Sequence, residues 1–378
     1  MIFIYSEKVD ITLEQIDNWD KENIIFIDTR GRIAYYHGHI DNAILLEDVQ
    51  NVIESISLDS SKKYIVYCTY GETSYDIALE LRRMGYEVYN LKGGYREWLK
   101  KNVTSFNEDE LVRYDRQIIL PQIGIEGQRK LKKARVLIVG AGGLGAPVAS
   151  YLAGSGIGKI GLMDADLVSL SNLQRQIIFE ESMVNKNKAE SAKEVLQKLN
   201  HGITVTPYNE FLTPENAEKI ISEYDFIVDA VDNFETKFLI NDTCVLLEKP
   251  FCHAGILQFQ GQVMTYVPNM GPCYRCIFQE IPDKSSIPNC SQAGVIGAMA
   301  GIIGSIQALE TIKYFTGAGE LLINKMFVFD GLSMHSRIVE FPNRNIKCRV
   351  CGNNADIKSV KDNQSEYQIT SCIVEQKG

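Results

Sequence analysis

The chain has 378 residues, 45% hydrophobic and 23% charged, with a formal net charge of −9. That length holds two domains with separate cores, the composition is that of a soluble globular protein, and the acidic surplus argues against nucleic acid or an anionic membrane as main partner. Nine cysteines are an odd number for a disulfide framework and fit a reducing cytoplasm. Lys8 and Asp10 interrupt the early apolar stretch, so no secretory signal is expected.

In chain order, Ile24-Ile25-Phe26-Ile27 predicts a strand ending at Asp28-Thr29-Arg30, and Tyr64-Ile65-Val66-Tyr67 a second, buried one. From Ser74 the apolar residues Ile77, Ala78, Leu81 and Met84 recur at helical spacing, with Gly85 placed as a C-cap. Cys68 to Thr73 is therefore a tight loop feeding a helix N-terminus, where unpaired amides favour an anion such as a thiolate. The plainer alternative is a small buried cysteine at a strand end. Together with "GHIDNAILL" at 38–46 and "NLKGGYREWLK" at 90–100, this pattern resembles the rhodanese sulfurtransferase domain over residues 1–103. The resemblance implies a persulfide on Cys68. Thr69 and Thr73 stand where many rhodaneses have arginine, which puts thiosulfate in doubt as the sulfur donor. His37 and His39 belong to the same resemblance and read as structural.

The polar stretch 100–110 predicts a domain boundary. Arg135 then opens a buried strand, followed by Gly140-x-Gly142-x-x-Gly145 and a helix, the order of a dinucleotide-binding turn. The next strand, 159–163, ends in Asp164, roughly the 20 residues on at which a carboxylate meets a ribose hydroxyl. Asn172, Arg175, Gln176 and Lys188 follow, and cations such as Arg175 and Lys188 suit a triphosphate better than NAD; the alternative is that these two are solvated surface charges. "DFIVDAVDN" gives a strand ending in Asp229 and Asp232, and a carboxylate there can hold Mg²⁺ against phosphate oxygens. The apolar run 293–306 is short for a bilayer. Its Gly294, Gly297, Gly301 and Gly304 predict a buried helix that lets another backbone approach. Two C-x₂-C pairs, Cys273/Cys276 and Cys348/Cys351, fill the four corners of a structural zinc site. Cys290 is a loop thiol with a candidate catalytic role, while Cys244, Cys252 and Cys372 read as core or tail residues. The tail 353–378 is polar and expected to be mobile, with 367–374 a candidate terminal strand.

"RYDRQIILPQIGIEGQRKL", "GAGGLG", "DADLVSLSNLQRQ", "DAVDN" and "CYRC" together resemble the MoeB/ThiF family, relatives of the ubiquitin-activating enzymes, over residues 107–352. The implied fold class is α/β throughout: a rhodanese-like domain, then a Rossmann-like adenylyltransferase domain with a zinc site. The resemblance implies ATP-dependent adenylation of the C-terminal glycine of a ubiquitin-like sulfur carrier ending in Gly-Gly. Gly140, Gly142, Gly143 and Gly145 then form the nucleotide turn, Asp164 binds the ribose, Asn172, Arg175 and Lys188 contact the phosphates, and Gln176 also belongs to the nucleotide site. Asp232 takes the Mg²⁺ side, and Arg116 reaches the active site of a neighbouring subunit in a homodimer. Related fusions usually carry the two domains in the opposite order. A cysteine desulfurase or another persulfide donor would load Cys68. The chain ends in a single glycine, Gly378, so the carrier is expected to be separate. Rival readings are a non-enzymatic redox or scaffold protein, an NAD-linked oxidoreductase, and an activating enzyme for a different small protein or peptide. The pathway is open: thiamin, molybdopterin and thiolated tRNA all fit.

Overall fold

The computed structural model describes residues 9–36, 38–46, 61–102, 106–281, 293–341 and 343–367. The chain divides into two compact units, Met1–Arg129 and Lys130–Gly378.

The first unit is built on a parallel five-stranded sheet of order β1-β5-β4-β2-β3. Its strands are β1 (Asp10–Ile11), β2 (Ile24–Asp28), β3 (Ile44–Leu45), β4 (Lys63–Tyr67) and β5 (Val88–Leu91). Period-two alternation sends β4 side chains to both faces. Tyr64 and Val66 pack with Ile27, Ala78, Leu81 and Val88 on one side, and Ile65 and Tyr67 with Ile11, Ile40 and Leu91 on the other. Each such fully buried side chain contributes about 1.5–3 kcal/mol. The helix Thr73–Arg83 buries Ser74, Ala78 and Leu81 and ends at Met84, with Gly85 at φ +95°, as the sequence predicts. Within the expected linker stretch, Phe106 is buried. Leu111, Tyr114 and Ile118, from the helices Glu108–Arg113 and Asp115–Ile118, close over Leu99, so contacts divide the chain after Arg129.

The second unit holds an eight-stranded mixed sheet of order β13-β12-β11-β10-β9-β6-β7-β8. The parallel part comprises β6 (Arg135–Val139), β7 (Lys159–Met163), β8 (Thr204–Tyr208) and β9 (Phe226–Asp229). β10 (Phe251–Leu257) joins β9 in parallel, and β11 (Gln260–Tyr266), β12 (Lys325–Asp330) and β13 (His335–Glu340) continue as an antiparallel meander. Strand order reverses between β6 and β9, so the loops after these two strands flank the crevice where open α/β sheets bind ligands. Val136 and Ile138 face one core and Leu137 and Val139 the other.

The predicted apolar helix runs Gly297–Thr316 against the helix Gly145–Ser155. A Cβ on Gly297 would sit 2.3 Å from the Gln174 carbonyl oxygen, and one on Gly304 2.6 Å from Pro147 Cγ. Close approach holds at these two glycines; Gly301 and Gly294 face open space. The tail departs from its composition. Ile357 and Val360 are fully buried, and Tyr367 Oη donates to Asp242 Oδ2 at 2.7 Å. The candidate strand 367–374 lies outside the described residues beyond Tyr367. No helix among the described residues is long and apolar enough to cross a membrane.

Candidate active sites and metal centre

Cys68 follows β4 directly, in a loop shaped by glycines with positive φ at Gly71, Gly93 and Gly94. A Cβ on Gly94 would lie 2.4 Å from the Cys68 carbonyl oxygen and one on Gly71 2.6 Å from that of Leu91, so both turns require glycine. The backbone N–H of Tyr95 donates to the Cys68 carbonyl (2.9 Å) and that of Arg96 to Thr69 (3.2 Å), anchoring the loop to the helix Gly94–Asn102. Gly71 N–H donates to Cys68 Sγ at 3.1 Å. Ser74 lies beneath, its hydroxyl 2.6 Å from Oδ1 of buried Asn90. Burial alone would raise the Cys68 pKa. The hydroxyls of Ser74 and Thr73 and the amides of Ser74 and Tyr70 outweigh it and bring the thiol down to about 7. About half the thiol is therefore thiolate at neutral pH, in a cradle of neutral donors. At the end of β2, Arg30 pairs with buried Asp28 (2.6 Å) and its guanidinium lies 3.6 Å from the centroid of the Tyr95 ring.

In the second unit the glycine turn has equally definite reasons. Gly140 has φ +101°, and a Cβ there would fall 2.6 Å from the Ala230 carbonyl oxygen; one on Gly145 would sit 1.9 Å from the Gly140 carbonyl oxygen. Ala141 N–H donates to Asp164 Oδ2 (2.9 Å) and Asp166 N–H to Oδ1 (2.9 Å). Burial raises the Asp164 pKa, against Lys188, whose Nζ is 3.9 Å from Oδ1 and 2.9 Å from Asp166 Oδ2. The aliphatic stem of Arg175 comes within 3.5 Å of where a Gly143 Cβ would be, and Gln176 Nε2 within 3.6 Å of that position on Gly142. Gln176 is buried and its Oε1 has no partner, an orphaned acceptor beside the turn. Asn172 is partly spent on local structure, its Oδ1 accepting from Ser169 N–H (3.0 Å). A glycine turn faced by the Gln176 amide, a carboxylate for a ribose and nearby cations fit a nucleoside triphosphate.

The two acids of "DAVDN" have different surroundings. Asp229 is buried, takes 3.2 Å bonds from Lys237 Nζ and is 2.7 Å from His253 Nδ1, so it is already neutralised. Asp232 is exposed in the following loop and remains the carboxylate able to hold Mg²⁺. Arg116 belongs to the first compact unit, where its Nη1 is 3.5 Å from Tyr70 Oη. Cys290 and His37 lie outside the described residues. Cys244 and Cys252 are fully buried, and burial pushes both thiols well up, as suits core residues.

Four sulfurs converge across the second unit. Cys273 Sγ lies 3.8, 3.7 and 3.6 Å from those of Cys276, Cys348 and Cys351, and Cys276 lies 3.3 Å from Cys351. None of the four is disulfide-bonded, and all lie within 4.8 Å of one another. A tetrahedron with Zn–S of about 2.3 Å needs sulfurs about 3.8 Å apart, so the set fits Zn²⁺ with no open position. The Asn345 N–H donates to Cys276 Sγ at 3.4 Å, a contact that suits a thiolate. The tail is fastened beside this centre: buried Arg275 pairs with Asp242 (2.5 Å) and Glu366 (3.3 Å).

Residues 114–350 match the ThiF family, and residues 12–101 match the rhodanese-like domain. The chain belongs to the ThiF family. It is 43% identical over 291 residues to the adenylyltransferase and sulfurtransferase MOCS3 of Culex quinquefasciatus, covering 77% of this chain and 66% of that protein. The MOCS3 of Arabidopsis thaliana is 44% identical over 260 residues, covering 69% and 56%. The chain thus spans about two thirds or less of the length of these relatives. Among solved structures, E. coli MccB with ATP is 25% identical with a TM-score of 0.59, over 81% of this chain and 86% of that one. The expected α/β class and the order of a rhodanese-like domain before a ThiF-family domain are confirmed.

Sequence reasoning missed three groupings: Asp229–Lys237–His253, the tail's contact with Asp242, and the Tyr70–Asp115 bond. In the first, the only sequence signal was His253 inside the otherwise apolar strand β10, where an ionisable group needs a partner.

Proposed function

We propose that the chain activates the C-terminal glycine carboxylate of a separate ubiquitin-like sulfur carrier with ATP, then converts it to a thiocarboxylate with sulfur carried on Cys68. A carboxylate oxygen attacks the α-phosphorus and pyrophosphate leaves, giving an acyl-adenylate. The terminal sulfur of a Cys68 persulfide attacks the acyl carbon and AMP leaves, giving an acyl disulfide. A second thiol then attacks Cys68 Sγ, breaking the S–S bond and releasing the thiocarboxylate, with the electrons supplied by that thiol. Cys290 is one candidate for it.

The carrying observation is that one chain holds both a thiol brought to about pKa 7 and a glycine turn with a ribose carboxylate beside it. Asp164 receives the ribose, Arg175 and Lys188 face the phosphates, Gln176 offers its buried amide, and Arg116 serves a neighbouring subunit. Asp232 would hold Mg²⁺, which would supply charge neutralisation for the leaving pyrophosphate. Zn²⁺ in the four-cysteine centre is structural. The homodimer is supported by Tyr151, Ile302 and Leu309, all exposed on two packed helices. A cysteine desulfurase is the proposed donor and the cytoplasm the proposed site, in keeping with thiols kept reduced.

Carrier-dependent ATP–pyrophosphate exchange, combined with mass analysis of the carrier, tests the scheme. Cys68→Ala keeps exchange near wild type and abolishes thiocarboxylate formation. Asp232→Ala lowers both by about a hundredfold. Thiocarboxylate made at the wild-type rate by Cys68→Ala, with the same donor, refutes the sulfur-carrying role.

A further inference from the structure

The sulfur-bearing loop is held by more than its own turn. Tyr70 stands between Cys68 and Gly71, and its hydroxyl donates to Asp115 Oδ2 at 3.0 Å. Arg116 Nη1 donates to the same hydroxyl at 3.5 Å. Arg96 Nε lies 3.3 Å from Asp115 Oδ1, with its guanidinium 5.9 Å from the Tyr70 ring centroid. A carboxylate and two arginines thus clamp the ring. Burial and then Asp115 push the Tyr70 pKa above its ordinary value, so the hydroxyl stays a donor across the working pH range. The other end of the same residue is its backbone. The amides of Tyr70 and Gly71 are among the groups that face the Cys68 sulfur, and rotation of the Tyr70 peptide would turn them away.

We propose that Tyr70 is a positioning residue: by binding Asp115 it orients the amides over the Cys68 sulfur and so ties the thiol's acidity to the Asp115–Arg116 segment. This segment opens the ThiF-family match at residues 114–350, whereas Cys68 lies in the rhodanese-like match at 12–101, yet both belong to one compact unit. The other groups around the sulfur are uncharged, the hydroxyls of Thr73 and Ser74 on the following helix. At the end of neighbouring β2, Asp28 and Arg30 neutralise each other. Glu72, in the loop itself, and Asp76, in the first turn of the following helix, point into solvent as exposed carboxylates, so the ionised groups bonded to the loop are the ones behind Tyr70.

The inference rests on Cys68 being the working thiol, and its test reads that thiol directly. Full-length protein is treated with iodoacetamide from pH 5.5 to 9, and alkylation of the Cys68 peptide is followed by mass spectrometry. Tyr70→Phe and Asp115→Ala each slow alkylation at pH 7 about three- to tenfold and move the half-maximal pH upward, since one pKa unit is about tenfold in thiolate. The double variant is no slower than either single one, because both remove the same bond. A wild-type profile in either single variant overturns the inference. So does a double variant whose slowing is the product of the two. Whether wild-type Cys68 gains one sulfur in mass from a desulfurase is a separate readout, so failure of sulfur carriage is told apart from failure of the clamp.

Discussion

Replacing Lys237 by methionine removes a charge from a buried trio and leaves the shape nearly intact. Lys237 Nζ reaches both Asp229 oxygens at 3.2 Å and the Ala254 carbonyl at 2.7 Å. Lys237, Asp229 and His253 are 7%, 1% and 1% exposed. His253 Nε2 has no partner, so the ring is assigned as neutral, with its Nδ1–H donating to Asp229. Burial would raise the Asp229 pKa, but Lys237 and His253 hold it below the usual carboxylate range. Burial and then the Lys237 charge push His253 below its ordinary value. Losing one partner of a buried pair costs about 3–5 kcal/mol. In this trio, however, His253 is free to take a proton once Lys237 is gone.

The two proteins should therefore respond to pH with opposite signs. In wild type the unfolded His253 protonates first, near pH 6.5, so stability falls as pH drops below that value. In Lys237→Met the folded state binds the extra proton, so stability rises as pH drops toward 6.5, by at most about 1.4 kcal/mol per unit. At pH 8 the loss is about 3 kcal/mol, a melting shift of about 6–12 °C for a unit of this size. Both tryptophans, Trp19 and Trp98, belong to the first unit. Their fluorescence should report an unshifted transition while far-ultraviolet circular dichroism registers the shifted one. Equal losses at pH 8 and pH 6.5, or a loss under 1 kcal/mol at pH 8, would refute the reasoning.

Two further outcomes follow from the second unit's geometry. Metal analysis of protein purified without chelator gives about one zinc per chain, and Cys351→Ser lowers both zinc content and melting temperature because it opens a closed shell; absence of zinc sinks the assignment. Gly145→Ala drives a methyl to within 1.9 Å of the Gly140 carbonyl oxygen, so the turn must open. ATP binding and pyrophosphate exchange fall together, while iodoacetamide still alkylates Cys68 at the wild-type rate.

What was legible in the sequence was local. The β4 strand, the Cys68 loop, the Gly140–Gly145 turn and Asp164 are each set by neighbours within a few residues or one crossover, so spacing alone betrays them. The four cysteines were legible although the pairs are far apart, because thiolates in C-x₂-C pairs have few other uses in a reduced protein. The tail was misread because its composition is polar, while Ile357, Val360 and the aromatic Tyr367 are all buried. A count of polar residues does not reveal that Arg275 and Asp242 wait for Tyr367 and Glu366. The glycine run 294–304 was half legible: the period of a helix identifies the element, but only the partner surface decides that Gly304 meets Pro147 and Gly301 meets nothing.

The hydroxyl-bearing loop also bears on the proposed chemistry. A fixed cation beside Cys68 would lower its pKa further, but a thiolate's intrinsic nucleophilicity falls with its pKa, and attack is fastest when the pKa is near ambient pH. Thr73, Ser74 and two amides stop the thiol at about 7, which leaves half of it ionised and basic enough to attack a donor's persulfide. Thr69 and Thr73, standing where many rhodaneses place arginine, therefore trade anion affinity for nucleophilicity. A small free anion such as thiosulfate would lack the charge that captures it. A protein donor, brought by its own surface, needs no such charge, and that is the donor class this loop is built to serve in the proposed reaction.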